Sequence, residues 1–389
     1  MTIDHVRRFI DGDETFKFLG SAYSPAGESD AFERLGLTDP LLVEIADRAI
    51  DDVTILLQTL AMNMQRFEEQ SLPKRLLKWL GPPKRVDSVT VEIIDLSGFY
   101  AEVRRGSPYP IEISVGAVLR AASLCNEFAA VSLENASPCV TASIEPATRD
   151  GGLFHVMPKT GAAKLYARRL LLIGILFLFG HEFSHVSMGH CDLFFANQQM
   201  TNDERCALEL DADAGAGSTA AASIIQSRKV IEYLNYLPED FSSSAGAFIP
   251  DTITAVLIQF ILFEEFSDKD SPRYLVPMIR LGNFISGFVE YTKWSETAPY
   301  GPSVHVNKAH LQDSYINMLY LQSAGALMRT SIASILKNTS VTEADVERFR
   351  NVIRIRESLK PKLAPLQPFG MPEYLAKVRK ARAQKRNVA

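Results

Sequence analysis

The chain has 389 residues, of which 47% are hydrophobic and 22% are charged, with 41 basic against 46 acidic residues. These proportions are typical of globular proteins and exclude disordered and collagen-like chains. The net charge of -5 argues against a nucleic-acid-binding protein, which normally carries an excess of basic residues. The four cysteines form no CxxC pair, which favours a reducing compartment over a disulfide-stabilised secreted domain.

The first predicted element is a long amphipathic helix in the N-terminal part of the chain. A Thr-Asp-Pro sequence at 38–40 is a typical helix start, and apolar residues recur at helical spacing to about Glu69. A Gly-Pro-Pro sequence at 81–83 then ends this part. We therefore assign residues 1–85 to an N-terminal helical section.

Three strand-like segments follow, at residues 88–96, 99–104 and 109–114. Apolar and polar residues alternate within them, and glycines lie between them, so the pattern predicts a small antiparallel meander. The rest of the chain is mainly helical. The predicted helices cover residues 115–130, 164–188, 203–228, 251–266, 275–293, 308–337 and 342–359. The fold class is therefore α+β and predominantly helical.

Two signals at helix ends support these assignments. Gly189 stands where a glycine commonly follows the last turn of a helix. Thr342 and Asp345 resemble a capping box at a helix start. We assign residues 86–300 to a core domain and residues 301–389 to a C-terminal helical section with a basic tail.

Two apolar runs, at 170–180 and 253–263, are shorter than the roughly 20 residues that a membrane-spanning helix needs. The N-terminus lacks the apolar segment of a secretory signal. We therefore expect a cytoplasmic protein without a transmembrane segment. The tail at 377–386 contains six basic residues and no acidic one, which favours a solvated helix or, as an alternative, a weak contact with nucleic acid or an anionic surface.

The segment that points to chemistry is an HExxH sequence, with His181, Glu182 and His185 near the end of an apolar helix. Residues four apart lie on one helix face, so both imidazoles can bind the same metal ion. Glu182 is adjacent to that face and can act as a general base. A catalytic zinc ion has three protein ligands and one open position, so a third ligand is required.

Two residues are the main candidates for the third ligand. Glu209 lies on the next long helix and shares a face with Asp213, which could accept a hydrogen bond from the ring of a ligand histidine. His190 follows Gly189, and the direction of its side chain cannot be predicted there. We favour Glu209 and keep His190 as the alternative. Ligation by Cys191 or Cys206 is a minor option, since both are expected to be small buried residues.

HExxH followed on a second helix by ExxAD resembles the gluzincin metallopeptidases, and the phage-exclusion Lit-type peptidases are the more similar group. The likeness covers about residues 181–213. It implies a zincin-like core, with a small sheet, the HExxH helix and the ExxAD helix, and additional helical segments around it. In Lit-type peptidases a further histidine follows at the spacing of His190, and the activity is cleavage of a translation elongation factor during phage infection.

The expected function is therefore that of a zinc-dependent endopeptidase that cleaves a specific intracellular protein, in phage defence or regulation. A repressor-cleaving peptidase is one alternative, and a helical interaction module with a structural metal is another. The intact Glu182 argues against the last, because a structural site does not use a general base. Candidate donors to the developing oxyanion are Arg273, Arg280, His305 and His310.

Overall fold

The protein is represented by a computed structural model that describes residues 16–21, 30–71, 89–104, 106, 108–134, 153–154, 156–197, 199–226, 228–236, 248–266, 274–296 and 341–366. Its strands are β1 (Phe16–Ser21), β2 (Val89–Ile94), β3 (Ala101–Val103) and β4 (Tyr109–Ser114). Its helices are α1 (Asp30–Arg34), α2 (Pro40–Ser71), α3 (Val115–Glu134), α4 (Gly161–Ser187), α5 (His190–Ala196), α6 (Asn202–Gln226), α7 (Arg228–Tyr233), α8 (Phe248–Phe266), α9 (Pro277–Glu296) and α10 (Glu343–Leu363). This part of the chain is predominantly helical with one small sheet, as the sequence predicted.

The four described strands form a sheet in the order β1-β2-β4-β3. β2 is parallel to both β1 and β4, and only β3 and β4 are antiparallel. The predicted antiparallel meander is therefore wrong, although all three predicted strands exist. β2 and β4 carry alternating buried apolar residues and pair with each other inside the sheet, whereas β3 carries the exposed Glu102 and lies at the edge.

Most predicted helices are present with bounds that differ by a few residues. The glycine signal is confirmed, since Gly189 has a positive φ of 79° directly after α4. The capping box of α10 is also confirmed, since Thr342 and Asp345 bond to each other's backbone N–H groups. β1, α1, α5 and α7 were not predicted. The predicted helix at 308–337 and the basic tail at 377–386 lie outside the described residues.

Helix α4 is the central element of the described core. It packs against α3, α6 and α8, and its apolar stretch from Leu170 to Phe179 is buried throughout. Among the described helices, α4 alone has the length and apolar composition of a membrane span, and 94% of its most apolar window is buried inside the protein. A core helix that contacts other helices on several sides can have the same length and apolar composition.

The last described helix, α10, packs against α6 and α5. Its buried residues Val352, Leu359 and Leu363 form an apolar cluster with residues of α6, including Leu210. Helix α6 therefore lies between α4, α9 and α10. This arrangement fixes the position of the acidic residues of α6.

Small residues allow α6 to approach α9 very closely. A Cβ atom at Gly287 of α9 would overlap the carbonyl oxygen of Ala214 on α6. Gly282, five residues earlier in α9, has open space where its Cβ atom would lie. The two glycines therefore stand in the same helix with opposite packing constraints.

We expect Gly287→Ala to lower the thermal unfolding midpoint, because α9 and α6 must separate to accommodate the methyl group. Gly282→Ala is the matched control and should raise the midpoint, since alanine is favoured over glycine in a helix by roughly 0.5–1 kcal/mol. Thermal unfolding followed by circular dichroism measures both. Equal midpoints for the two variants would contradict the close approach of these helices.

Candidate metal centre

Three predicted ligand residues meet at the contact between α4 and α6. Nε2 of His181 lies 3.3 Å from Nε2 of His185, one helical turn later. The carboxylate of Glu209, on α6, lies 3.1 Å from Nε2 of His181 and 3.7 Å from Nε2 of His185. These ligand atoms all lie within 4.8 Å of one another, so they could hold one metal ion.

The spacing of these atoms fits a small tetrahedral ion. Bonds of about 2.0–2.2 Å at tetrahedral angles place neighbouring ligand atoms roughly 3.3–3.6 Å apart. The two Nε2 atoms are 3.3 Å apart, and the Oε2 and Oε1 atoms of Glu209 lie 3.1 Å from His181 and 3.7 Å from His185, which is close to that range. Two imidazoles and one carboxylate are also a donor set that zinc commonly takes, with one position left for a water molecule.

The carboxylate of Asp213 lies beside the Nδ1 side of the His181 ring. Its Oδ1 atom lies 3.0 Å from Nδ1 of His181, and its side chain is completely buried. Arg280 of α9 donates two hydrogen bonds of 2.8 Å to the same carboxylate. Because the other nitrogen of His181 engages this carboxylate, its Nε2 atom is directed towards His185 and Glu209.

The electrostatics of the cluster favour a cation. Burial lowers the pKa of His185 to about 3, so its imidazole is in the neutral form that binds metals. Burial alone would raise the pKa of Glu209, but its hydrogen bond to His181 and the neighbouring cationic groups lower it to about 2. Burial also lowers the pKa of His181, yet hydrogen bonds to Asp213 and Glu209 outweigh this effect and raise it to about 10. The carboxylates thus favour positive charge at this point.

Glu182 follows the predicted ligand His181 in α4, and its side chain is directed towards the sheet. Its Oε2 atom accepts a hydrogen bond of 2.9 Å from the backbone N–H of Val103 in the edge strand β3. The side chain is 6% exposed, and burial raises its pKa to about 8. The backbone donor fixes one carboxylate oxygen, so Glu182 is oriented and not freely rotating.

His190 is present at the site but does not join the ligand group. Its Nδ1 atom lies 3.0 Å from Nδ1 of His185, on the side of that ring opposite to Nε2. Its Nε2 atom lies 3.5 Å from Oδ2 of Asp211. The geometry therefore favours Glu209 as the third ligand over the alternative His190.

Other predicted residues have different positions. Arg280, a candidate oxyanion donor, is 2% exposed and donates two hydrogen bonds to the carboxylate of Asp213. Arg273, His305 and His310 lie outside the described residues. Cys191 and Cys206 are buried thiols, as expected, and burial raises their pKa values to about 12 and 11.

Besides the bonds between Arg280 and Asp213, sequence reasoning missed two further contacts of this centre. The first is the backbone bond from β3 to Glu182, which depends on a strand arrangement that the sequence did not predict. The second is Asp211 as the partner of His190. The sequence could have indicated a role for Asp211, because this residue lies between Glu209 and Asp213 in a segment rich in acidic residues.

No protein-family model matches the chain. No curated protein and no solved structure matches it either. The function is therefore inferred from the residues and the geometry of the site.

We expect Arg280→Met to lower the free energy of unfolding of the metal-free protein by about 3–5 kcal/mol, because it leaves the buried charge of Asp213 unpaired. The matched control is Arg350→Met, which removes an arginine from the exposed ion pair with Glu347 and should change stability little. Urea unfolding measures both variants. A loss no larger than that of the control would show that Arg280 does not compensate the buried carboxylate.

Proposed function

We propose that the chain is a zinc-dependent endopeptidase that hydrolyses a peptide bond in a specific intracellular protein. The observation that carries the proposal is the convergence of the ligand atoms of His181, His185 and Glu209 within 4.8 Å of one another, with Glu182 buried beside them. A purely structural metal site has no use for an oriented carboxylate next to its ligands. The HExxH resemblance to gluzincin peptidases points to the same chemistry.

In this proposal His181, His185 and Glu209 would hold the zinc ion. When bound, zinc lowers the pKa of a coordinated water towards neutrality and polarises the substrate carbonyl. Glu182 takes the proton from the attacking water and later passes it to the nitrogen of the leaving amine. Val103 holds one oxygen of Glu182, so the proton moves through the other oxygen.

The edge strand β3 supports a peptide as the substrate. Among the described strands β3 lies at the end of the sheet, and β4 covers only one of its sides. Val103 directs its N–H group away from β4 and towards Glu182. An extended peptide added along such an edge would run past Glu182, because backbone pairing at a sheet edge is a common mode of peptide recognition.

We expect about one zinc ion per chain in protein purified without chelators. The zinc should be retained in Glu182→Gln, because this residue moves protons and does not bind the ion, and lost in His181→Ala, His185→Ala and Glu209→Ala. Glu347→Gln, at an exposed glutamate of α10, is the control that should keep full occupancy. Elemental analysis checks these outcomes, and the absence of metal from the wild-type protein would overturn the proposal.

The cleavage activity has its own prediction. Cells that produce the wild-type chain should contain new protein N-termini that are missing when Glu182→Gln is produced at the same level. We expect them in one or a few proteins, with little digestion of casein by the purified chain. Cleavage of a host protein only during phage infection would support the role in phage defence, and cleavage of a repressor would favour the regulatory alternative. Identical N-termini in both cultures, with zinc bound, would favour a structural metal.

A further inference from the structure

A row of polar side chains begins at Nδ1 of His185, the ring nitrogen opposite to the Nε2 atom that faces the proposed metal. Nδ1 of His185 lies 3.0 Å from Nδ1 of His190, and Nε2 of His190 lies 3.5 Å from the carboxylate of Asp211. His190 is only 2% exposed. Nothing in the mechanism described above uses His190 or Asp211.

The proton arrangement along this row follows from one requirement. A neutral imidazole carries one N–H group, so a histidine that binds metal through Nε2 carries its proton on Nδ1. The Nδ1–H group of His185 then donates to Nδ1 of His190, which must be an acceptor. The proton of neutral His190 is consequently on Nε2, the nitrogen that lies 3.5 Å from the carboxylate of Asp211.

We propose that His190 is a positioning residue that, together with Asp211, holds His185 in the orientation and tautomer required for metal binding. This inference rests on the proposed zinc site and goes beyond it. His190 lies 3.0 Å from the Nδ1 atom of one ligand histidine, as Asp213 does from that of the other. At its Nδ1 atom, the second ligand histidine thus contacts a further histidine and not a carboxylate.

Two observations place His190 in this role and not in the ligand group. Its Nδ1 atom contacts the ring nitrogen of His185 that faces away from His181 and Glu209. Its Nε2 atom faces Asp211, so both of its nitrogens are directed away from the three converging ligand atoms.

The position of His190 is set by the turn between α4 and α5. Gly189 has a positive φ of 79°, which favours glycine, and reverses the chain so that α5 begins at His190. A Cβ atom at Gly189 would meet the backbone of Leu366, at the end of the segment that follows α10. Arg356 of α10 lies 3.9 Å from Asp211. Helix α10 and the residues that follow it therefore lie against Asp211 and against the turn that carries His190.

The test compares two substitutions of His190 in the full chain. An asparagine places its side-chain oxygen near the position of the histidine Nδ1 atom and keeps an acceptor there, whereas a leucine of similar size does not. We expect His190→Leu to weaken zinc binding about 10–100-fold, and His190→Asn to stay within a few-fold of the wild type. Competition with a chromophoric chelator gives the dissociation constants, and the absorption spectrum of the Co²⁺-substituted protein reports the ligand geometry.

Three controls accompany these variants. Phe195→Leu changes an exposed residue of α5 and should leave zinc affinity unchanged. His185→Ala should lose the metal. Asp211→Asn removes only the charge of the carboxylate and should weaken zinc binding about tenfold, which provides a second measurement if His190→Leu does not fold.

Each result decides the proposal. Wild-type affinity and an unchanged cobalt spectrum in His190→Leu would overturn it. Complete loss of zinc from both His190→Asn and His190→Leu would make His190 a metal ligand and also overturn it. Zinc binding with the expected pattern but no peptide cleavage would refute the proposed peptidase and leave the positioning role standing. A wild-type chain that binds no zinc would refute both.

Discussion

The site depends on how closely helix α6 approaches helix α4. The imidazoles of His181 and His185 come from α4, and the carboxylates of Glu209 and Asp213 come from α6, so a small separation of the two helices would take the ligand atoms out of reach. Small residues permit the approach, since a Cβ atom at Gly215 of α6 would overlap the side chain of Ser184, which lies between the two histidines in α4. The distance between α4 and α6 thus determines both the packing of the core and the geometry of the site.

This close approach places charges where water cannot solvate them. The free-energy penalty for a buried carboxylate is severe unless a cation and hydrogen bonds compensate it. Arg280 provides that compensation for Asp213, and its guanidinium also lies over the rings of Phe260 and Tyr274. Glu209 has a weaker contact, since Arg280 lies 3.9 Å from its carboxylate. A metal ion between Glu209 and the histidines would supply the charge that the arginine provides only in part.

The parts of this structure that the sequence predicted are those encoded by local spacing. The HExxH helix, the ExxAD helix and the capping box at Thr342 depend on residues within a few positions of one another. Strand order was not predictable in this way. Which strands pair, as β2 and β4 do, depends on which strands are buried and which are exposed in the sheet as a whole. The role of Arg280 was missed for a similar reason: its partner Asp213 lies 67 positions away, and only the packing of α9 brings them together. The direction of His190 depended on the positive φ of Gly189 and on the residues packed over that turn.

The helices around the cluster of His181, His185 and Glu209 have a physical explanation in this arrangement. Helix α6 presents acidic residues to four neighbouring helices: Glu209 and Asp213 face α4 and α9, and Asp211 faces α5 and α10. If α10 were absent, the apolar side of α6 around Leu210 would lose its cover and Arg356 would no longer lie beside Asp211. Helix α6 would then lack one of the helices that pack against it, and Asp211 would lose the arginine beside it. The C-terminal helix therefore belongs to the construction of the site, although none of its residues reaches the metal-facing atoms.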